Sequence, residues 1–155
     1  MKQLELKIPP VVILLLGVVI AVVDRLYFGE WFPIHTLFPG IAFVIAGTMT
    51  GLAAVQTFRS AATSVDPRQP HKASSLVIEG IFKVSRNPMY LGLLFIQIGV
   101  ALICSSFAGL CFAPLLTGYL TRFQIVPEER HMKEKFGEDY VLYRRQTRRW
   151  LGRYK

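Results

Sequence analysis

The sequence is short of charge, and the charge it has is lopsided. Only 18% of its residues are Asp, Glu, Lys or Arg, and the bases outnumber the acids 18 to 10. Three stretches carry none at all: Ile8–Val23, the 28 residues Trp31–Phe58 and the 35 residues Asn87–Thr121. Gaps of that length exclude an ordinary water-soluble domain, in which charge is spread along the chain. Cysteine is nearly missing. Cys104 and Cys111 are the only two, which excludes a disulfide-held scaffold. His35, His71 and His131 stand far from one another in the sequence, so no histidine pair completes a metal site with the cysteines, and the two thiols are expected to be buried apolar residues. No glycine-rich turn follows a strand, which excludes a Rossmann or P-loop phosphate cradle. No basic patch interleaves with aromatics, so the net charge of +8 is expected to meet anionic lipid headgroups rather than nucleic acid.

What is present is apolar. The chain has 155 residues, 52% of them hydrophobic, and a mean hydropathy of +0.40. A helix needs about 20 apolar residues to cross a bilayer. The first two uncharged runs therefore hold one span each, and the third is long enough for two. The third run is expected to fold back near Ile103–Leu110 ("ICSSFAGL"), where Ser105, Ser106 and Gly109 favour a turn. Spans are predicted at residues 8–27, 37–58, 88–104 and 108–125, all helical because lipid leaves backbone amides no other partner. The N-terminal run is not expected to be a signal peptide, since it lacks a small-x-small cleavage site and Asp24-Arg25 follows it. Of the 18 Lys and Arg residues, only Arg25, at the end of span one, lies toward the loop between spans one and two. The others precede the first span, lie between spans two and three, or stand at or beyond the end of the fourth. Both termini and the middle loop are thus expected on the cytoplasmic side. Gly47 and Gly51, in "GTMTG", suggest a close helix contact.

The polar segments collect on that one side. In the middle loop Pro67 and Pro70 break helix. The stretch "SSLVIEGIFKVSRNP" mixes apolar and polar residues and is expected to lie at the membrane surface, with Gly80 allowing a turn. After the fourth span, Glu128 and Glu129 follow Pro127. Such a pair suits a helix start; it also suits a fixed pair of carboxylates able to receive an ammonium or a hydroxyl. Met132, Phe136, Tyr140 and Tyr143 recur at helical spacing around Gly137. That predicts two amphipathic helices, whose aromatics belong at the interface together with Trp150.

Two segments together, "LVIEGIFKVSRNPMYLG" and, some 30 residues on, "RFQIVPEERHMKEKFGEDYVLYRRQTRRW", resemble the isoprenylcysteine carboxyl methyltransferase and phospholipid methyltransferase superfamily. The resemblance covers residues 71–150, about half the chain. It implies an all-α integral membrane enzyme using S-adenosylmethionine, with four transmembrane helices, spans three and four forming a helical hairpin, and cytoplasmic amphipathic helices at the C-terminus. Residues 1–155 would form one membrane domain, in which 1–58 supply two spans and 59–155 the cofactor-binding core. By position, Leu76 and Val77 would line the adenine, and Phe82 would stand against the cofactor. Asn87, Pro88, Met89 and Tyr90 match the cofactor-contacting His/Asn-Pro-x-Tyr, and Glu128 and Glu129 match the acidic pair that holds the cofactor. Arg86, Tyr90 and Glu129 are the implied catalytic residues. Gln124 stands where an arginine linked to substrate is often seen, with Arg122 nearby, and these two are the implied substrate residues. Asn87 occupies the place of a histidine common in eukaryotic members. Ser74 stands in place of another, with His71 three residues earlier.

The implied reaction is in-line methyl transfer to a lipophilic acceptor, a carboxylate or an amine, entering from the bilayer. An amine would require a proton acceptor, for which His71, Tyr90 or a glutamate are available. Two other readings remain open. One is a membrane reductase of related architecture using NADPH, although sterol reductases of that kind are much longer. The other is a non-catalytic four-helix membrane protein, against which stands the lack of the intramembrane charge expected of an ion-coupled carrier.

Overall fold

A computed structural model describes residues 5–32, 34–61 and 75–154. Pro67, Pro70, His71 and Ser74 lie outside the described residues. Among the described residues, five α-helices carry the architecture. They are α1 (Pro10–Phe28), α2 (Leu37–Ser60), α3 (Pro88–Ile103), α4 (Phe107–Leu120) and α5 (Val126–Gln146). Short 3₁₀ turns precede α2 (Ile34–Thr36) and α3 (Gly80–Lys83), and a π-helical turn, Thr121–Ile125, joins α4 to α5. No β-strand occurs among the described residues.

α1 and α2, of 19 and 24 residues, are long and apolar enough to cross a membrane by themselves, whereas α3 is apolar but shorter, at 16. Their outward faces are apolar as well: Leu15, Leu16 and Val19 on α1 and Phe38, Met49 and Leu52 on α2 are exposed. Water would oppose such a surface; hydrocarbon would not.

α2 and α3 make the most extensive helix contact, and glycine makes it possible. A Cβ on Gly47 would lie 2.6 Å from the Gly92 carbonyl, and one on Gly92 would lie 2.7 Å from the Gly47 carbonyl. Seven residues along each helix, the pairing repeats: Cβ atoms on Gly40 and Gly99 would approach the opposite carbonyls to 2.9 and 2.7 Å. The two matched pairs run in opposite senses along the chain, so the helices are antiparallel, with their backbones closer than any side chain permits. Gly47 thus does what the sequence suggests, and Gly92 serves the same seam.

α4 begins at a built cap. The Ser106 hydroxyl accepts from the Gly109 amide at 2.9 Å and donates to Asp24 of α1 at 2.7 Å, and Asp24 also accepts from the Ala108 amide at 3.2 Å. Asp24 is 8% exposed. This buried charge at the end of α1 is structural: it satisfies orphan donors at the start of α4. Cys104 is half-buried and Cys111 exposed, which corrects the expectation of two buried thiols. Cys111 points away from the bundle, where lipid would accommodate a thiol as well as a core does.

Two clusters fill the interior. One gathers Leu14, Tyr90, Leu116, Leu120 and Ile125 from α1, α3, α4 and the π turn. The other gathers Ala54, Phe82, Tyr140 and Tyr143, flanked by Leu76, Val77 and Met89. Gly80, at φ 57°, makes the turn that sends Phe82 into the second cluster, and Phe58 meets it edge-on with ring centroids 4.9 Å apart.

Candidate active site

Three segments meet at one end of the helices: Ser85–Asn87 ahead of α3, the first turn of α5, and the C-terminal stretch Thr147–Tyr154. The last is a hook held by main chain. The Arg86 amide donates to the Arg148 carbonyl at 3.1 Å, the Arg148 amide to the Gly152 carbonyl at 2.9 Å, and the Gly152 amide to the Val84 carbonyl at 2.7 Å. The Asn87 side-chain amide donates to the Arg149 carbonyl at 2.9 Å. Pro88 opens α3, where a first-turn amide would find no partner, and Pro127 follows the π turn at the head of α5. These starts place Tyr90 just inside α3, and Glu128 and Glu129 in the first turn of α5.

The two glutamates have different surroundings. Glu129 is an ion-pair centre. Arg86 Nη1 lies 3.0 Å from its Oε1, and Arg149 forks across both oxygens, Nε to Oε1 at 3.0 Å and Nη2 to Oε2 at 2.8 Å. The side chains of Arg86 and Glu129 are 7% and 10% exposed. A desolvated pair of that kind holds only when its geometry is good and its hydrogen bonds are met, and the bidentate fork supplies both. Glu128 faces inward and receives the Tyr90 hydroxyl. Burial, opposed by that hydrogen bond and reinforced by the neighbouring Glu129 charge, raises its carboxyl to about 8. Glu128 is thus predominantly a protonated acid at neutral pH.

Arg86 also reaches toward the aromatic cluster: its Nη1 lies 3.4 Å from the Tyr140 hydroxyl. Burial, and then the Glu129 charge, push that phenol up to about 12. Burial raises Tyr143 as well, and its hydroxyl donates to the Phe82 carbonyl at 2.7 Å. The hydrogen bond from Arg149 to Glu129 raises the arginine above its ordinary value. The Nε of Arg86 is buried and makes no hydrogen bond.

Most of the residues singled out in the sequence fall in this region. Arg86, Asn87 and Glu129 are joined through Arg149; Tyr90 and Glu128 form a second pair; Leu76, Val77, Phe82 and Met89 share the aromatic cluster. Pro88 is buried at the start of α3. Arg122 and Gln124 are tethered elsewhere. Arg122 pairs with Glu5 at 3.1 Å, and Gln124 donates to the Ile8 carbonyl at 2.8 Å. Both belong to the π turn, under the N-terminal segment. Tyr140 and Tyr143, expected at the interface, are instead 4% and 6% exposed. Gly137, at φ 52°, interrupts the helix before them, yet Met132 and Phe136 pack in the same cluster as the two tyrosines; the shared face predicted by the spacing turns to the protein interior. Arg149 was missed altogether: one arginine among several in "RRQTRRW", with no local pattern pointing to Glu129.

A family profile described as phospholipid methyltransferase matches residues 35–139. Protein-S-isoprenylcysteine O-methyltransferase B of Arabidopsis thaliana is 27% identical over 105 residues, covering 67% of this chain and 53% of that protein. The chain thus aligns with about half the length of the Arabidopsis relative. An uncharacterized protein of Haemophilus influenzae is 33% identical over 63 residues, 41% of this chain and 100% of that protein. No solved structure matches significantly.

Proposed function

Since the chain belongs to the phospholipid methyltransferase family, we propose that it transfers a methyl group from S-adenosylmethionine to a lipophilic acceptor at the cytoplasmic rim of a membrane. The observation that carries this reading is the convergence of a buried ion-pair centre, a protonated acid and an apolar wall at one end of the helices. These residues fit the cofactor chemically. The Glu129 carboxylate suits an ammonium, and the Glu128 carboxyl suits ribose hydroxyls. The unpartnered Arg86 Nε is a donor suited to a carboxylate. Leu76, Val77, Phe82 and Met89 offer an apolar surface for an adenine.

When bound, S-adenosylmethionine would supply an already activated methyl group, so the protein's work is to position two reactants. Arg86 and Glu129 fix the polar end of the site, and Tyr90 orients Glu128. Asn87 offers a neutral donor and acceptor at the rim, where a further charge would be costly. A carboxylate acceptor needs no base. An amine must lose a proton, and Glu128, poised at about 8, is able to take it once ionised.

The membrane arrangement we infer has four spans. α3 would extend about 24 Å and α4 with its π turn about 28 Å, close to the hydrocarbon thickness. With α3 and α4 as a hairpin, every motif and 17 of the 18 basic residues fall on the cytoplasmic side. A groove of about 210 Å³ between α2 and α3, lined by Gly47, Thr48, Gly51, Leu52, Met89 and Leu93 among others, offers a hydrocarbon chain a path toward Met89. Arg122 and Gln124 remain the proposed substrate residues, away from this groove in the π turn.

Membranes containing the chain, incubated with methyl-labelled S-adenosylmethionine, are expected to move label into the organic-extractable fraction above membranes lacking it. No excess label with any lipid extract, from protein shown to be folded, contradicts the reading.

A further inference from the structure

The matched family segment ends at residue 139, and the hook begins at Thr147. Yet this hook touches both halves of the polar site. One residue does so twice. The Arg149 carbonyl accepts from the Asn87 side chain at 2.9 Å, and its guanidinium forks across Glu129 at 3.0 and 2.8 Å. The hook's main chain is itself anchored on Val84 and Arg86, so Arg149 is delivered by a fixed backbone. Arg149 therefore bridges the segment ahead of α3 and the first turn of α5, beside the direct Arg86–Glu129 pair.

We propose that Arg149 is a positioning residue of the cofactor site, so that the C-terminal hook completes a site which residues 35–139 leave unfinished. The inference rests on the methyltransferase reading. Its physical content is that Arg86 alone reaches one oxygen of Glu129, which leaves the carboxylate free to rotate, while the fork on both oxygens does not. The fork also offsets the Glu129 charge beside Glu128. The groups facing this pair are Tyr90 from α3, Arg86 ahead of it, Tyr140 from α5 and Arg149 from the hook.

The test is calorimetric titration of S-adenosylmethionine into the full-length protein at several pH values from 6 to 9, for the wild type, Arg149→Gln, Arg149→Lys and Arg145→Gln. Arg145 is exposed on the last turn of α5, and its replacement removes the same charge without touching Glu129. Arg149→Gln is expected to weaken binding by about tenfold or more. Arg149→Lys recovers part of that loss, because it keeps the charge without the fork, and Arg145→Gln behaves as wild type. Wild-type binding tightens as pH rises through about 8, where Glu128 ionises. In Arg149→Gln that midpoint moves upward, since Glu129 repels its neighbour with one less cation beside it. A merely structural role would lower affinity alike at every pH. Unchanged or tighter binding in folded Arg149→Gln, or an unmoved midpoint, overturns the proposal. Should that variant fail to fold, wild-type affinity in Arg149→Lys overturns it and a several-fold loss supports it. A folded wild type that binds no S-adenosylmethionine overturns the methyltransferase reading instead.

Discussion

Glu128→Gln is expected to make the protein more stable above neutral pH, although it removes a residue of the candidate active site. Glu128 lies beyond the fourth proposed span, half-buried in the first turn of α5, and its carboxyl is raised from 4.5 to about 8 by desolvation and by Glu129. Below pH 4.5 the side chain is protonated in both folded and unfolded chains, and its titration costs nothing. Between 4.5 and about 8 the unfolded chain releases the proton while the folded chain keeps it. Stability therefore falls with rising pH, by about 1.4 kcal/mol per unit, to a total of about 5 kcal/mol. Glutamine has the same shape, still accepts from Tyr90, and does not titrate. Between pH 6 and 9 the wild type should lose about 3 kcal/mol that the variant keeps. For a chain of this size that corresponds to a difference in Tm of about 6–12 °C. Thermal unfolding of both proteins in detergent at pH 6 and pH 9 measures it. Parallel pH profiles would refute the reasoning, because they would mean that Glu128 is already ionised in the folded protein at neutral pH.

Gly92→Ala should destabilise the bundle by about 1–3 kcal/mol, because its Cβ would lie 2.7 Å from the Gly47 carbonyl and helix backbones cannot give way as side chains do; a lowered Tm in detergent checks this. Phe82→Ala, at a side chain 4% exposed, should cost about 3–5 kcal/mol, read by the same melt. A Cβ on Gly51 would meet nothing within 4 Å, and Gly51 lines the α2–α3 groove, so Gly51→Leu would fill that groove. It should leave Tm and cofactor binding unchanged while lowering label transfer to long-chain acceptors.

The helices were legible because charge is costly in lipid. Pro10–Phe28 and Leu37–Ser60 fall inside or against the uncharged runs, and the start of α3 is marked by Pro88. The site was legible in part, since "RNPMY" and "PEER" are local patterns whose neighbours in space also belong to patterns. Its second half was not. Arg149 reaches Glu129 across 20 residues, through a hook built on main-chain hydrogen bonds to Val84 and Arg86, and main-chain pairing leaves no trace in side-chain identity. The face shared by Met132, Phe136, Tyr140 and Tyr143 was legible, but spacing alone does not say whether an aromatic face meets lipid headgroups or the protein's own interior. Asp24 read as the edge of an uncharged run, because nothing local announces that Ser106, 82 residues away, is its partner.

The most direct test of the central claim is titration of S-adenosylmethionine, and separately of NADPH, into purified full-length protein near neutral pH. The account predicts saturable binding of S-adenosylmethionine at one site per chain and none of NADPH. Binding of NADPH instead, or no binding of S-adenosylmethionine to folded protein, would contradict it and leave the family membership as a likeness of fold without its chemistry.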